Sequence, residues 1–176
     1  MPERLRRYAR RVANWADAWG RRLGVLPYRP EQHTSAEWSA EYDAGALDYY
    51  GRLDELARYS VIVGYVSWLV AAAPSSEHST LLDIGCGSGL LRRHLEGVPL
   101  AEYVGIDLSE AAIRTAREQG FSRSRFVVGD VSTTAERGPF DTVVLNEVLY
   151  YAADTSAFLE QLRSMLADRG ALVVSM

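Results

Sequence analysis

Between residues 80 and 176 short apolar runs alternate with amphipathic stretches. "TLLDI" (80–84) precedes "GLLRRHLEG", "EYVGID" (102–107) precedes "SEAAIRTAREQG", and "RFVVGD" (125–130) precedes an irregular piece ending at Gly138. "FDTVVLNEV" (140–148) then leads into "DTSAFLEQLRSMLADRG" and the last run, "ALVVSM". Unbroken runs such as "VVL" and "LVV" fit strands buried on both faces, where neither side of the pleat needs a polar residue. The intervening stretches carry helical spacing, with Ser109 and Asp154 at N-cap positions and Gly97 and Gly170 as stops. Strand–helix alternation at this spacing predicts an α/β fold, a Rossmann-like open parallel sheet with helices on both faces.

Upstream the pattern is helical throughout. Leu5, Tyr8, Val12, Trp15 and Trp19 recur at intervals of three and four along a helix flanked by arginines and closed by Gly20 or Gly24. That face suits packing on its own domain or docking on a partner or membrane surface. "VLPYRPEQHTSAEW" reads as a loop. Helical patterns resume at 36–50 and 52–73, with Leu53, Leu56, Ala57, Ser60, Val61 and Gly64 on one face. The chain divides into an N-terminal helical cover or lid, residues 1–75, and a core, residues 76–176.

Composition changes this picture little: 176 residues, 48% hydrophobic and 24% charged, describe an ordinary globular chain. The net charge of −4 argues against a general nucleic-acid binder, although residues 1–24 hold seven arginines against Glu3 and Asp17. Cys86 is the sole cysteine, and His33, His78 and His94 have no ligand spacing, so neither a disulfide framework nor a metal site is expected. "VIVGYVSWLVAAAP" (61–74) is too short to span a bilayer, and the N-terminus lacks the apolar core of a secretory signal. A cytoplasmic protein is expected.

Candidate chemistry gathers where the strands end. In an open α/β sheet ligands sit outside the carboxyl ends of the strands. There lie "GCGSG" (85–89), Asp107, Asp130, and the pair Asn146 and Glu147, with Asp83 just before the glycines. A dinucleotide fingerprint would need glycine at 90, which is leucine, and a phosphate loop would need a lysine, which the chain lacks. A pyrophosphate would also face Asp83, Asp107 and Asp130 without a visible cation, at a cost of about 1–4 kcal/mol per close like-charge pair. An acidic crevice suits a ligand with hydroxyls, an exocyclic amine and positive charge, a description that S-adenosylmethionine meets.

Residues 80–175 resemble the class I S-adenosylmethionine-dependent methyltransferases. "LLDIGCGSG" is similar to their first motif, "YVGIDLS" to the second-strand motif with its ribose-binding acid, and "FVVGDVS" to the third-strand motif. "FDTVVLNEVLYY" is similar to the fourth-strand motif and "LADRGALVVS" to the approach to strand five. The "NEVLYY" run resembles small-molecule enzymes such as the nodulation N-methyltransferases. The resemblance implies that Asp83, Gly85 and Gly87 meet the methionyl moiety, Asp107 the ribose hydroxyls, and Asp130 with the backbone of Val131 the adenine. It places Asn146 and Glu147 opposite the sulfonium, with Glu147 the candidate general base and Tyr150 a second one. "AEYDAGALDYY" and "LDELARYSVIVGYV" resemble the lid and the helix before the first strand, so that Arg58 pairs with the methionyl carboxylate and Tyr42 or Tyr59 closes over the cofactor.

The implied activity is methyl transfer from S-adenosylmethionine to a nitrogen or oxygen of a small molecule, with S-adenosylhomocysteine as product. A non-catalytic or partner-docking S-adenosylmethionine-binding module and an aminopropyl transferase are the alternatives. The family sheet is ordered 3-2-1-4-5-7-6, and this chain reaches only strand five, which reads as a truncated form or an edge covered by another element. A homodimer or partner contact is expected through that edge or through the N-terminal Arg/Trp helix.

Overall fold

β1 (Thr80–Ile84) lies at the centre of the computed structural model, which describes residues 33–73, 79–132 and 138–176. β2 (Glu102–Asp107) and β4 (Phe140–Asn146) flank it, with β3 (Ser124–Val128) and β5 (Leu166–Ser175) outside them. The order is β3-β2-β1-β4-β5, and every pairing is parallel. The chain runs outward from β1 through β2 to β3, then returns to β4 on the other side. The switch point therefore falls between the carboxyl ends of β1 and β4, where a crevice must open because the connections leave in opposite directions.

Five α-helices, α1 (Ser35–Asp43), α2 (Leu56–Ala72), α3 (Leu90–His94), α4 (Glu110–Glu118) and α5 (Thr155–Met165), and two 3-10 turns at Asp48–Gly51 and Leu149–Tyr151 complete the described residues. Alternate residues of the strands build two cores, as a pleat of period two demands. Leu81, Tyr103, Phe126 and Val144 pack on one face with Ile62, Val66 and Val70 of α2, Leu91 of α3 and Ile113 of α4. Leu82, Ile84, Val104, Ile106, Val143 and Leu145 pack on the other with Leu162 and Met165 of α5. Ser109 and Asp154 cap α4 and α5 as their sequence positions predict, accepting from the N–H groups of Ala112 and Ala157.

Three expectations are corrected. The buried stripe of α2 is Tyr59, Ile62, Val66 and Val70, whereas Leu53 is 82% and Val61 59% exposed. The sequence carries apolar residues nearly all round this helix, so periodicity alone could not choose the face. α3 stops at His94, short of Gly97. α5 ends at Met165 rather than near Gly170, because Leu166 already pairs with Phe140. Residues 167–170 then stand opposite Asp141 before Ala171 pairs with Thr142. Gly170 marks this bulge, not a helix stop: a Cβ there would lie 2.8 Å from the Phe140 carbonyl oxygen. The Arg/Trp segment at 1–24 lies outside the described residues.

Gly105, in the middle of β2, lets the loop after β1 lie against the sheet. A Cβ at 105 would come within 2.7 Å of Cys86 Sγ and 2.8 Å of Phe126 Cδ1. Gly105→Ala is therefore expected to cost about 1–3 kcal/mol by overpacking. The melting temperature should fall by roughly 2–10 °C, and an unchanged melting curve would show that the loop does not depend on this packing.

Candidate functional site

The turn that leaves β1 has left-handed backbone at alternate residues: φ is +71° at Gly85, +53° at Gly87 and +83° at Gly89. Side chains with a Cβ rarely adopt these values, which explains the alternating glycines. The turn is tied to β2, since the N–H groups of Gly85 and Cys86 both donate to the Ile106 carbonyl at 2.8 and 3.1 Å. Asp107, at the end of β2, completes the fastening. Its Oδ2 accepts from Gly87 N and its Oδ1 from Ser109 N, each at 2.8 Å. Burial pushes the Asp107 carboxyl up from its ordinary range, while these two N–H groups act against that shift.

Asp83 points into the first core from the last turn of β1 and is 1% exposed. Tyr103 donates its hydroxyl to one carboxylate oxygen, and the other, Oδ1, has no hydrogen-bond partner. Burial drives its pKa from 3.8 up to about 7, against the opposing Tyr103 bond. Asn146, at the end of neighbouring β4, likewise has a buried Oδ1 without a partner. Buried acceptors left unpaired cost free energy comparable to a lost hydrogen bond, so two of them at the ends of β1 and β4 point to an expected donor.

Polar contacts hold α1 over this turn. Thr34 and Glu37 form a capping box at its start. Ser35 Oγ donates to the Leu108 carbonyl at 2.6 Å, and Ser39 Oγ accepts from Glu110 N at 3.0 Å. α1 buries no residue of its own. It carries Tyr42, whose hydroxyl lies against the Cα of Gly87, and the Val148 side chain similarly covers Gly85. The close approaches that these glycines permit are thus made by the chain itself. Burial and the neighbouring Asp107 raise the Tyr42 hydroxyl well above its ordinary value, so it stays protonated at any working pH.

A second group of residues forms beyond β4. Glu147 holds a left-handed φ of +59°, a conformation that costs a non-glycine residue about 1 kcal/mol or more. Its N–H donates to the Ser175 carbonyl at 3.0 Å, and its Oε1 accepts from Ser175 Oγ at 3.2 Å. Arg58 Nη1 lies 3.1 Å from the same oxygen, and the Tyr150 hydroxyl donates to Oε2 at 3.3 Å. Arg58 also meets Glu55, with Nη2 to Oε2 at 2.6 Å. Its guanidinium sits between the Tyr50 ring at 5.4 Å and the Tyr59 ring at 5.6 Å. Tyr59 is buried, stacks on His94 at 5.0 Å, and has a hydroxyl raised chiefly by burial. Tyr150 and Tyr151 stack at 4.6 Å, and Trp38 of α1 meets Tyr151 edge-on at 5.3 Å.

The fold therefore gathers Asp83, Gly85, Gly87, Asp107 and Tyr42 at the end of β1, and Arg58, Tyr59, Asn146, Glu147 and Tyr150 at the end of β4. Asp130 is exposed beyond β3, where its Oδ1 accepts from the N–H and hydroxyl of Ser132, and Val131 beside it is buried. Glu55, Tyr50, Val148 and Ser175 belong to the same constellation and were not singled out in the sequence. Only Glu55 left a trace there, three residues before Arg58 on one helical face. Among the described residues no cluster of His, Cys, Asp and Glu could hold a metal ion, and no helix is long and apolar enough to cross a membrane.

Comparison with known proteins agrees with the fold. A family model described as "Methyltransferase domain" matches residues 75–176. The ubiquinone biosynthesis O-methyltransferase of Caulobacter vibrioides is 37% identical over 115 residues, covering 60% of this chain and 43% of that protein. The trans-aconitate 2-methyltransferase of Variovorax paradoxus is 33% identical over 111 residues, covering 61% of this chain and 42% of that protein. The chain thus spans less than half the length of these curated relatives. Among solved structures, the plantazolicin methyltransferase BpumL, in complex with SAH and a substrate analogue, superposes with a TM-score of 0.66 at 22% identity. That match covers 80% of this chain and 55% of BpumL.

The Asp83 carboxyl sets a pH dependence. It ionises near 3.8 when unfolded and near 7 in the fold, so between these values the native state holds the extra proton and stability falls as pH rises. The isosteric, neutral Asp83→Asn variant lacks this slope. From pH 5 to pH 8 wild type should lose roughly 2–3 kcal/mol relative to the variant. Melting curves at both pH values measure it, and a constant difference across the range is the contrary result.

Proposed function

The chain belongs to this family of methyltransferase domains, and on that premise we propose that it transfers a methyl group from S-adenosylmethionine to a nitrogen or oxygen atom of a small-molecule acceptor in the cytoplasm. The carrying observation is the pair of unpartnered buried acceptors, Asp83 Oδ1 and Asn146 Oδ1, beside a left-handed glycine turn. An amino-acid ammonium supplies the donors that such acceptors lack. A cation beside Asp83 also favours its ionised form, relieving the burial that now raises its pKa.

The rest of the crevice fits the same ligand. Asp107 is oriented by two backbone N–H groups and keeps lone pairs for a ribose diol. Asp130 and the Val131 backbone stand at the end of β3, where the adenine would lie. Tyr42 is the first group that a ligand on Gly87 meets, and Tyr59 backs the site from α2. The Arg58 guanidinium is the natural bidentate partner of the methionyl carboxylate.

The bound cofactor would supply an electrophilic methyl group, leaving the protein to position and desolvate the reactants, which lowers the barrier by several kcal/mol. α1 excludes water through Tyr42 and Trp38. Glu147 takes the proton of an acceptor that arrives as an ammonium or a hydroxyl, and its contacts with Arg58, Tyr150 and Ser175 fix the direction of its carboxylate.

Titration calorimetry with S-adenosylmethionine and S-adenosylhomocysteine tests this reading, and absence of binding by both would refute it. Replacing Asp107 by Ala leaves the ribose hydroxyls unpaired, at about 1–3 kcal/mol. The dissociation constant is expected to rise about ten- to a hundredfold, and an unchanged value would remove Asp107 from the site. Glu147→Gln should leave cofactor affinity nearly intact while turnover falls, and equal turnover would exclude Glu147 as the base.

A further inference from the structure

Arg58 is an unsaturated cation. It lies within 4 Å of two carboxylates, Glu55 at 2.6 Å and Glu147 at 3.1 Å, so the three groups together carry an excess negative charge. Their side chains are similarly shielded, at 21% exposure for Arg58, 24% for Glu55 and 20% for Glu147. The two contacts differ in kind. Glu147 is held from several sides, by Ser175 and Tyr150 as well as by Arg58. Glu55 touches Nη2 closely, yet the buried Nε and Nη2 atoms of Arg58 still have no aligned hydrogen-bond partner. Glu55 supplies charge without satisfying the donors on that edge of the guanidinium. Its backbone sits at the N-cap position of α2, one helical turn before Arg58.

The Nε–Nη2 edge is the one that a free carboxylate engages side-on with two parallel hydrogen bonds. We propose that Glu55 is an affinity-setting residue of the cofactor site, occupying with its own carboxylate the edge of Arg58 that the carboxylate of the cofactor's amino-acid end takes. This rests on the S-adenosylmethionine reading given above. Cofactor binding is then an exchange of carboxylates on one guanidinium. The incoming group satisfies Nε and Nη2, and Glu55 turns out to solvent. Glu147 keeps its contact at Nη1 throughout, so Arg58 links the cofactor's amino-acid end to the candidate base.

A competitor of this kind has an unusual signature, because removing it tightens binding. Neutralising Glu55 as Glu55→Gln should lower the dissociation constant for S-adenosylhomocysteine by roughly three- to thirtyfold, because a neutral amide competes less well than a carboxylate for the Nε–Nη2 edge. Glu55→Ala should act in the same direction. 5′-Methylthioadenosine, which shares the nucleoside but lacks the amino-acid end, should bind wild type and both variants within about twofold. Arg58→Gln should weaken S-adenosylhomocysteine at least tenfold, leave 5′-methylthioadenosine unchanged, and abolish the gain from Glu55→Gln in the double variant. All are calorimetric measurements that need no turnover. Unchanged or weaker binding of S-adenosylhomocysteine by the two Glu55 variants, both melting as wild type does, overturns the proposal. So does an equal gain for 5′-methylthioadenosine, which would place the effect away from the carboxylate. If wild type binds neither compound, the cofactor reading itself fails and this proposal with it. A wild type that binds, with Glu55 variants that gain nothing, refutes the proposal alone.

Discussion

A left-handed turn over the end of the central strand is the constraint on which this structure depends. Three residues with positive φ within five positions are all glycines, which adopt such values without strain. Between the glycines the turn carries only the small side chains of Cys86 and Ser88. It is fastened instead by the Ile106 carbonyl, by the Asp107 carboxylate, and by the room that Gly105 leaves for Cys86. Each fastening comes from β2, so the geometry of the crevice is a consequence of the β1–β2 pairing. The Asp107 carboxylate, proposed above to meet the ribose, is also a structural tie.

Charge and burial are what support the proposal of a cationic, hydroxyl-bearing ligand. Asp83 and Asp107 are both destabilised as anions by burial, and Asp83 has an acceptor without a donor. Such an arrangement lowers the stability of the empty fold at neutral pH, and a positively charged ligand relieves it. The end of β4 repeats the theme with Arg58 shared between Glu55 and Glu147, and a backbone strain at Glu147 held in place by Ser175. Cost at a binding site, repaid by its occupant, is a common reason for strain and unpaired polar atoms to persist. The cover is built differently. α1 is attached by serine hydroxyls and the Asp43–Arg114 ion pair rather than by a buried apolar face, so it adheres where polar partners at and before α4 lie.

Much of this was legible from residue order. The five strands, their parallel arrangement and the N-caps Ser109 and Asp154 follow from apolar runs bounded by capping and turn residues, since buried parallel strands leave little freedom of composition. The glycine turn, Asp83 and Asp107 were visible because their spacing from strand ends is local. The exposed face of α2 was not legible. Leu56 and Val61 are as apolar as Ile62 and Val66, and only docking against the sheet decides which set is covered. Gly170 was misread because a stop and a bulge demand the same residue for the same steric reason.

The sequence by itself determined the fold class and the residue types that end each strand, because these depend on local spacing and on the periods of strand and helix. Tertiary structure alone decided which distant groups meet. Tyr42 reaches Gly87 across forty-five positions, Ser175 reaches Glu147, and Arg58 stands between Glu55 and Glu147. No local pattern encodes such contacts. They arise when the sheet brings the ends of β1, β4 and β5 together under α1 and α2, and their energies depend on burial that exists only after folding.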